Sequence, residues 1–514
     1  MNSAIADSLS DDFNYIGIAC SLIVFVFLWL SFGRIELAMI SFLPMAVSWI
    51  WILGLMAIFG IKFNIVNIIL ATFIFGQGDD YTIFMTEGCT HEYAYRKPML
   101  ASYKNSIILS ALIMFIGIGS LITAKHPALL SLAEVTIIGM FSVVLMAYLI
   151  PPYLFNWITK SGGQYRKRPL TLGALARTWF CGFWWLTQLC IGYSIGFVLF
   201  AVWGKSERSR AMLHKVVTWS HRVDLRLFPG LKNEIRNPHN EAFDKPCIII
   251  CNHQSMLDPI YLMALSHKII IVANKRSSWN PIVKRMFKWL DFYTVVEEQF
   301  EDDIPLFAKY VKEGYSIAVY AEGERNPEST ILRFHKGAFL LASRLYLDIL
   351  PIYLHGLNNA MPPGSFAVNR TKVTMTIGQR ISAGSPLWGN DYPETTRRIH
   401  RHFLAEYDRL RSELETTSYF LPLVKERYLY KGRTAYSEAC KALSKENLER
   451  IDNAGDSPTI TIKNCGGGAL ALMAALVHPD KTIYAIEEDP DKQLLARHSA
   501  QGLVNNVKIL NTEH

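Results

Sequence analysis

The chain has 514 residues, of which 51% are hydrophobic and only 19% are charged, and these proportions argue against a fully water-soluble protein. The formal net charge of +8 is modest and no basic run carries interleaved aromatic residues, so nucleic acid is not predicted as a partner. Eight cysteines are scattered without a Cys-x-x-Cys spacing, which predicts neither a disulfide framework nor a metal site.

The apolar residues are concentrated in the first part of the chain. Residues 15–203 contain long uncharged runs, whereas 204–514 hold most of the charge. A bilayer core requires roughly 17–25 apolar residues per helix. Five segments meet that requirement and are predicted to span a membrane, namely 15–32, 36–59, 61–77, 105–123 and 132–157.

Basic residues predict the orientation of these spans, because cytoplasmic loops are enriched in Lys and Arg. One basic cluster lies between the third and fourth spans, and another follows the fifth span. We therefore predict a multi-pass protein of the inner (cytoplasmic) membrane with both loops in the cytoplasm. The clusters consist of Arg96, Lys97 and Lys104, and of Lys160, Arg166, Lys167 and Arg168.

The third span ends in the stretch "FIFGQGDDYTIFMTEG", which places acidic residues at the margin of an apolar helix. Either Asp79 and Asp80 mark the cytoplasmic end of the helix, or they serve a function within the membrane. Residues 10–157 resemble part of an exporter of the resistance-nodulation-division superfamily, and this resemblance implies a proton relay through Asp80 and Tyr81. Since only part of such an exporter is present, a partner subunit is expected to supply the remainder.

A sixth apolar run occupies 178–203 and has basic residues on both sides. Glycines at 182, 192 and 196 would permit a break in a helix. We predict a re-entrant or interfacial hairpin with both ends in the cytoplasm, and a plain sixth span is the alternative. The basic amphipathic stretch 274–290 is suited to a lipid surface.

Candidate chemistry follows in the stretch "CIIICNHQSMLDP". Cys247–Cys251 is typical of a short buried strand, and Asp258-Pro259 is typical of a helix start. A carboxylate in such a turn can hold one nitrogen of His253 and leave the other free as a base. The alternative is that Asp258 only caps the helix.

Further downstream, "AVYAEGERNPESTILRFHKGAFLLA" and "ILPIYLHG" each contain an apolar strand followed by glycine and polar residues. Together with the His–Asp stretch, they resemble the glycerolipid acyltransferase superfamily of the lysophosphatidate type over residues 205–385. The first motif, N-H-x-x-x-x-D, is matched by Asn252, His253 and Asp258. The third motif, usually F-P-E-G-T-R, is matched by residues 321–325, and the fourth by 350–352.

This resemblance implies that His253 removes a proton from an acceptor hydroxyl while Asp258 orients the imidazole. The acyl donor would be acyl-CoA or acyl carrier protein, and neither a cofactor nor a metal is required. Two departures concern the acceptor: Glu324 replaces the usual threonine, and the second motif at 290–300 lacks its terminal arginine. The implied substrate-binding residues are Asn252, Ser255, Glu322, Gly323, Arg325 and Lys336.

The predicted function is a membrane-bound O-acyltransferase that moves an acyl chain to the hydroxyl of a lyso-lipid, similar to lysophosphatidate, in phospholipid biosynthesis. Membrane lipids and the thioester carrier are its expected partners. The alternative is a component of a lipid exporter, which would depend on Asp80 rather than on His253.

The final residues show a strand, a glycine loop, a helix and a second strand that ends in an acidic pair. This order resembles the first third of a class I methyltransferase, and it implies that Gly466, Gly468 and Glu487 bind S-adenosylmethionine. The segment is short for such a domain, and we expect it to be truncated and not to need that cofactor.

The predicted fold class is therefore multi-domain: an α-helical membrane bundle, an α/β acyltransferase domain and a partial Rossmann-like α/β tail. The predicted divisions are an exporter-like bundle at 1–160, a basic loop and hairpin at 161–215, the acyltransferase domain at 216–385, a helical extension at 386–450 and the methyltransferase-like segment at 451–514.

Overall fold

The computed structural model describes residues 19–61, 65–204, 206–274, 281–295, 302–326 and 330–511. The chain forms two compact units. The first combines Met1–Thr171 with Thr416–His514, and the second is the continuous segment Leu172–Glu415.

The first unit begins with apolar helices. They are α1 (Ala19–Phe32), α2 (Ile35–Phe59), α3 (Ile65–Tyr95), α4 (Leu100–Gly119, extended by a 3-10 turn over Ser120–Thr123) and α5 (Pro127–Thr159), followed by the short strands β1 (Lys160–Ser161) and β2 (Gln164–Tyr165). α2, α4 with its turn, and α5 each contain a stretch apolar and long enough to cross a membrane, and only 28%, 11% and 44% of those stretches is buried. Apolar surface exposed on this scale is compatible with a membrane protein.

α3 differs from the predicted third span. It has 31 residues and continues well beyond the predicted end at residue 77, so the aspartates lie inside the helix and do not mark its end. Asp79 is buried and one of its carboxylate oxygens has no hydrogen-bond partner among the described residues, whereas Asp80 is exposed. Tyr81 is buried, and its hydroxyl lies 3.4 Å from Ser110 Oγ. Because successive helix residues point about 100° apart, Asp80 and Tyr81 do not face the interior together.

The second unit contains a seven-stranded sheet with helices around it. Its strands are β3 (Leu231–Arg236), β4 (Ile248–Cys251), β5 (Ile269–Asn274), β6 (Tyr293–Val295), β7 (Ser316–Tyr320), β8 (Ile349–His355) and β9 (Thr371–Ile377). Its helices are α6 (Leu172–Trp203), α7 (Glu207–Leu227), α8 (Asp258–Leu265), α9 (Pro281–Trp289), α10 (Ile304–Lys312), α11 (Gly337–Leu345), α12 (Leu357–Ala360) and α13 (Tyr392–Leu414).

The strand order in the sheet is β3-β9-β8-β4-β7-β5-β6, and all neighbours are parallel except β8 and β9. β4 lies at the centre, and all four of its residues are fully buried. Isoleucine-rich strands suit this position because a parallel sheet is covered on both faces. The carboxyl ends of β4 and β7 therefore lie side by side.

The predicted hairpin at 178–203 is wrong, because α6 is one uninterrupted helix of 32 residues. Gly192 and Gly196 allow close packing, whereas nothing lies within 4 Å of a Cβ placed at Gly182. A Cβ at Gly192 would lie 2.8 Å from Cε of Met286, and a Cβ at Gly196 would lie 2.9 Å from the ring of Trp289, both on α9. α6 is itself long and apolar enough to cross a membrane.

α13 packs against the sheet of the second unit. The ring of Phe403 lies 4.4 Å from that of Tyr353 on β8, and Tyr407 is fully buried in the same core. The second unit consequently ends at Glu415, and the predicted helical extension at 386–450 is divided between the two units.

The remaining elements belong to the first unit. They are α14 (Thr417–Arg427), α15 (Arg433–Ala442), α16 (Lys445–Asp452), β10 (Thr459–Ile462), α17 (Ala469–Val477), β11 (Thr482–Ile486), α18 (Pro490–Ala500) and β12 (Val507–Leu510). β10, β11 and β12 form a parallel sheet in that order. The predicted alternation of strands and helices is present, while the methyltransferase resemblance remains a prediction.

Candidate active site

The predicted catalytic pair lies at the carboxyl end of the central strand. Cys251 on β4 is in register with Tyr320 on β7, and the chain turns directly after β4 toward α8. In this turn, Nδ1 of His253 lies 2.7 Å from Oδ2 of Asp258. The side chain of His253 is 19% exposed, whereas that of Asp258 is 0% exposed. The pair thus joins a buried carboxylate to an imidazole that remains accessible.

Asp258 organises the turn that precedes α8. Its Oδ2 accepts the backbone N–H of Gln254 at 2.6 Å and that of Ser255 at 3.0 Å, in addition to its contact with His253. Its Oδ1 is buried and has no partner among the described residues. These donors precede α8 in the chain, so the hydrogen bonds of the carboxylate within the described residues go to the turn rather than to the start of the helix.

Glu322 supports the turn from the neighbouring strand end. Its Oε1 accepts the backbone N–H of His253 at 2.9 Å, and its Oε2 accepts that of Leu332 at 2.7 Å. The residue is 3% exposed, and burial raises the pKa of its carboxyl to about 7 although both N–H groups act in the opposite direction. Since each oxygen accepts a backbone N–H, Glu322 positions the turn, and its predicted contact with the acceptor stays a prediction.

Asn252 and Ser255 also hold the backbone rather than line an open site. The amide of Asn252 donates to the carbonyl of Leu354 on β8 and accepts the N–H of the same residue, both at 2.8 Å. Ser255 Oγ donates to the carbonyl of Met361 at 2.8 Å. Both residues are fully buried. Both side chains fix the turn in this structure, and their predicted role in substrate binding stays a prediction.

The other predicted substrate-binding residues lie at the surface. Gly323 has φ +74°, and a Cβ there would lie 2.9 Å from the ring of His335, so only glycine fits without strain. Arg325 and Lys336 are exposed, and their side chains make no hydrogen bond or ion pair within the described ranges. They are free to meet a ligand. Residues 296–300 of the predicted second motif and 327–329 beside Arg325 lie outside the described residues.

Three residues of the site escaped the sequence analysis. The ring of Tyr320 stacks on that of His253, with centroids 4.0 Å apart and planes 17° apart. The side chain of Gln254 donates to the hydroxyl of Tyr407 on α13 at 2.5 Å, and this contact ties the turn to a helix 153 residues away. Tyr320 was recognisable as the last residue of a strand, but nothing local identifies Tyr407.

The glycine loop in the first unit is arranged differently. The N–H of Gly466 donates to Oε2 of Glu487 at 2.6 Å, and the N–H of Asp489 donates to Oε1 at 3.2 Å. A Cβ at Gly468 would lie 2.5 Å from Cβ of Ala496, so this glycine allows α17 to pack on α18. The carboxylate predicted to bind ribose is thus already hydrogen-bonded to the loop. These contacts do not fit a cofactor site in which that carboxylate is free.

Cavities and metal ligands do not point to another centre. Two cavities of about 500 and 50 Å³ lie in the first unit, and neither is lined by His253, Asp258 or the glycine loop. A site at the carboxyl end of a central strand can be open to solvent and need not enclose a large volume. The described part of the chain contains no group of three or more metal-ligating His, Cys, Asp or Glu side chains.

Comparison with known proteins agrees with this site. The profile of the family described as "Acyltransferase" matches residues 232–355, which include the His–Asp turn and the β7 loop. 1-acyl-sn-glycerol-3-phosphate acyltransferase beta of Homo sapiens is 27% identical over 192 residues, covering 36% of this chain and 68% of the human protein. A chloroplastic enzyme of the same name from Brassica napus is 26% identical, covering 34% of this chain and 52% of that protein.

Among solved structures, the 1-acyl-sn-glycerophosphate acyltransferase PlsC of Thermotoga maritima covers 47% of this chain and 97% of its own, with 17% identity and a TM-score of 0.41. The exporter and methyltransferase resemblances stay predictions. Residues 232–355 match the acyltransferase family model, and the chain is similar in sequence to 1-acyl-sn-glycerol-3-phosphate acyltransferases over 182 to 192 residues.

Proposed function

We propose that this chain transfers an acyl group from a thioester to the hydroxyl of a lyso-lipid similar to lysophosphatidate, in the synthesis of phospholipid or a related lipid. The observation that carries the proposal is the 2.7 Å contact between Nδ1 of His253, whose side chain is partly exposed, and a fully buried Asp258 at the carboxyl end of the central strand. The relatives named above act, by their names, on 1-acyl-sn-glycerol-3-phosphate.

The proposed reaction uses both nitrogens of the imidazole. With its Nδ1–H donated to Asp258, His253 keeps Nε2 free to take the proton from the acceptor hydroxyl. The acceptor oxygen then bonds to the thioester carbonyl carbon, and the C–S bond breaks. The leaving thiolate takes the proton back from Nε2. A base of this kind contributes about 10²–10⁴-fold to the rate.

The exposed side chains around the site favour an anionic acceptor. Arg325, Arg333 and Lys336 are exposed and cationic, while Glu324 is the exposed acidic residue among them. Guanidinium and ammonium groups form strong hydrogen bonds with phosphate oxygens. We therefore propose that Arg325 and Lys336 meet the head group of the acceptor, and that Glu324 weakens the attraction for a doubly charged phosphate.

We further propose that the site faces the cytoplasm at the inner membrane, because acyl-CoA and acyl carrier protein are cytoplasmic donors. Exposed aromatic side chains on α6, including Trp179, Trp185 and Trp203, support contact with the head-group region of a bilayer. The proposal includes no S-adenosylmethionine, since Glu487 is bound to two backbone N–H groups.

The test compares purified full-length protein with His253→Ala on lysophosphatidate and a panel of other lyso-lipids, using acyl-CoA and acyl carrier protein as donors. We expect acylated product from the wild type and at least a 100-fold lower rate from the variant. The chain offers a matched control in His221, whose Nδ1 lies 2.8 Å from Asp224, another fully buried carboxylate, on α7.

His221→Ala removes an imidazole that is similarly buried and also contacts a buried carboxylate, but His221 lies on α7 and not at the end of β4. It should retain acyl transfer. Equal product from wild type and His253→Ala would contradict the proposed base, and loss of activity in both histidine variants would indicate damage to the fold instead.

A further inference from the structure

Tyr320 is the last residue of β7 and covers one face of the catalytic imidazole. Its ring centroid lies 4.0 Å from that of His253 and the planes differ by only 17°, so the two rings are stacked. The register of β4 with β7 sets this arrangement, since Cys251 lies opposite Tyr320 and His253 follows two residues later. The stacking therefore depends on the register of the two central strands, since Tyr320 ends β7 and His253 lies just after β4.

The hydroxyl of Tyr320 has no visible task in the fold. It is buried and has no hydrogen-bond partner within the described ranges. Burial, followed by the charge of Asp258, raises the pKa of Tyr320 well above its ordinary value, so the phenol stays neutral. What Tyr320 offers to His253 is thus an aromatic face.

An aromatic face attracts a cation, and the imidazole becomes cationic when it takes the proton of the acceptor. The charged groups around His253 act from other directions. Asp258 on α8 contacts Nδ1 at the edge of the ring, and Glu322 after β7 contacts the backbone N–H rather than the ring. Of these groups, only the Tyr320 ring lies against the face of the imidazole.

We infer that Tyr320 is a positioning residue for acyl transfer, whose ring holds the plane of His253 and stabilises the imidazolium formed as the acceptor loses its proton. This inference rests on the proposed function, because it acts through His253. It assigns no contact between Tyr320 and the substrate.

The test compares Tyr320→Phe, which keeps the ring, with Tyr320→Leu, which removes it, by measuring kcat as a function of pH on the full chain. A cation–π contact corresponds to about a 2- to 30-fold change in rate. We expect kcat of Tyr320→Phe to stay within about twofold of the wild-type value. We expect kcat of Tyr320→Leu to fall by the factor that corresponds to a lost cation–π contact, up to about 30-fold. KM should change little in both variants.

The pH profile separates this role from a merely structural one. Without the ring the imidazolium is less stable, so protonation of the base needs a lower pH, and the acid limb of the profile should move down by about 0.4–1.5 pH units. A structural defect would lower the rate without moving that limb. A fixed acid limb in Tyr320→Leu, or an equal loss in Tyr320→Phe, would overturn the inference.

A second series keeps the test valid if Tyr320→Leu fails to fold. Progressively fluorinated phenylalanine at position 320 preserves the shape of the ring and weakens its attraction for a cation. We expect kcat to fall stepwise with fluorination, and a flat series would overturn the inference. If the wild type makes no acylated lipid, the proposed function itself fails; if it is active and the series is flat, only the role of Tyr320 fails.

Discussion

Two strand-end loops in this molecule each place a buried carboxylate among backbone N–H groups, and in one of them the carboxylate also contacts an imidazole. After β4, Asp258 accepts two backbone N–H groups and also orients His253. In the first unit, Glu487 accepts the N–H groups of Gly466 and Asp489, and no titratable side chain is added to these partners.

In both loops a buried carboxylate, Asp258 or Glu487, accepts two backbone N–H groups and thereby holds the loop in place. After β4 the N–H groups belong to the buried residues Gln254 and Ser255, and each would cost about 1–3 kcal/mol if it were left unpaired. The difference is the third partner, an accessible imidazole, which is present only after β4. Glu322 lies between these cases, because one of its two backbone donors belongs to His253 itself.

Asp258→Asn is expected to have the largest effect of the substitutions that test the difference between the two loops. Asparagine keeps an oxygen for the N–H groups of Gln254 and Ser255 but removes the charge that stabilises the imidazolium. We expect kcat to fall by about 10³-fold with little change in KM. Initial rates at saturating acceptor give the measurement.

Glu487→Gln is the matched control for Asp258→Asn, because it neutralises the corresponding acid of the other loop. It should leave acyl transfer unchanged. A loss smaller than tenfold in Asp258→Asn would mean that the carboxylate only shapes the turn, as Glu487 shapes its loop.

Glu322→Gln tests the intermediate case through the pH dependence of stability. Burial raises the pKa of this carboxyl from 4.5 to about 7, so between these values the folded protein holds a proton that the unfolded chain has released. The wild type should therefore lose up to about 3 kcal/mol of unfolding free energy as pH rises through this window.

Glutamine does not titrate, so Glu322→Gln should lack this decline between pH 4.5 and 7. The difference in thermal unfolding midpoint between the two proteins, followed in detergent across that range, isolates the contribution of Glu322 from that of other groups. A difference independent of pH would show that the carboxyl is ionised throughout and that burial does not dominate.

The His–Asp turn was predictable because its partners are close in the sequence. Asn252, His253 and Asp258 lie within seven consecutive residues, directly after an apolar strand, and local rules of strand ends and helix starts apply there. The contact between Gln254 and Tyr407 was not predictable, because it depends on how α13 packs on the sheet. Local patterns carry no information about that packing.

Glycine explains the wrong prediction of a break in α6. The glycines of α6 were interpreted as a possible break, but a sequence does not distinguish a glycine that bends a helix from one that admits a neighbouring Met286 or Trp289. The same ambiguity affects Gly468, which is predicted to approach a cofactor and which also admits Ala496 of α18. In both cases the deciding contact comes from a distant segment.

Gly468→Ala tests whether the glycine loop of the first unit serves packing, and it is expected to have the smallest effect on acyl transfer. The new Cβ would lie 2.5 Å from Cβ of Ala496, and φ of +81° is strained for alanine, so we expect about 2 kcal/mol or more of local destabilisation. Gly466→Ala is the control, since nothing lies within 4 Å of its Cβ and only the cost of φ +55°, about 1–2 kcal/mol, applies. Hydrogen exchange of α17 measures both. Faster exchange in Gly468→Ala than in Gly466→Ala, with unchanged acyl transfer per folded molecule, is the expected result, whereas equal protection would contradict the packing role of Gly468.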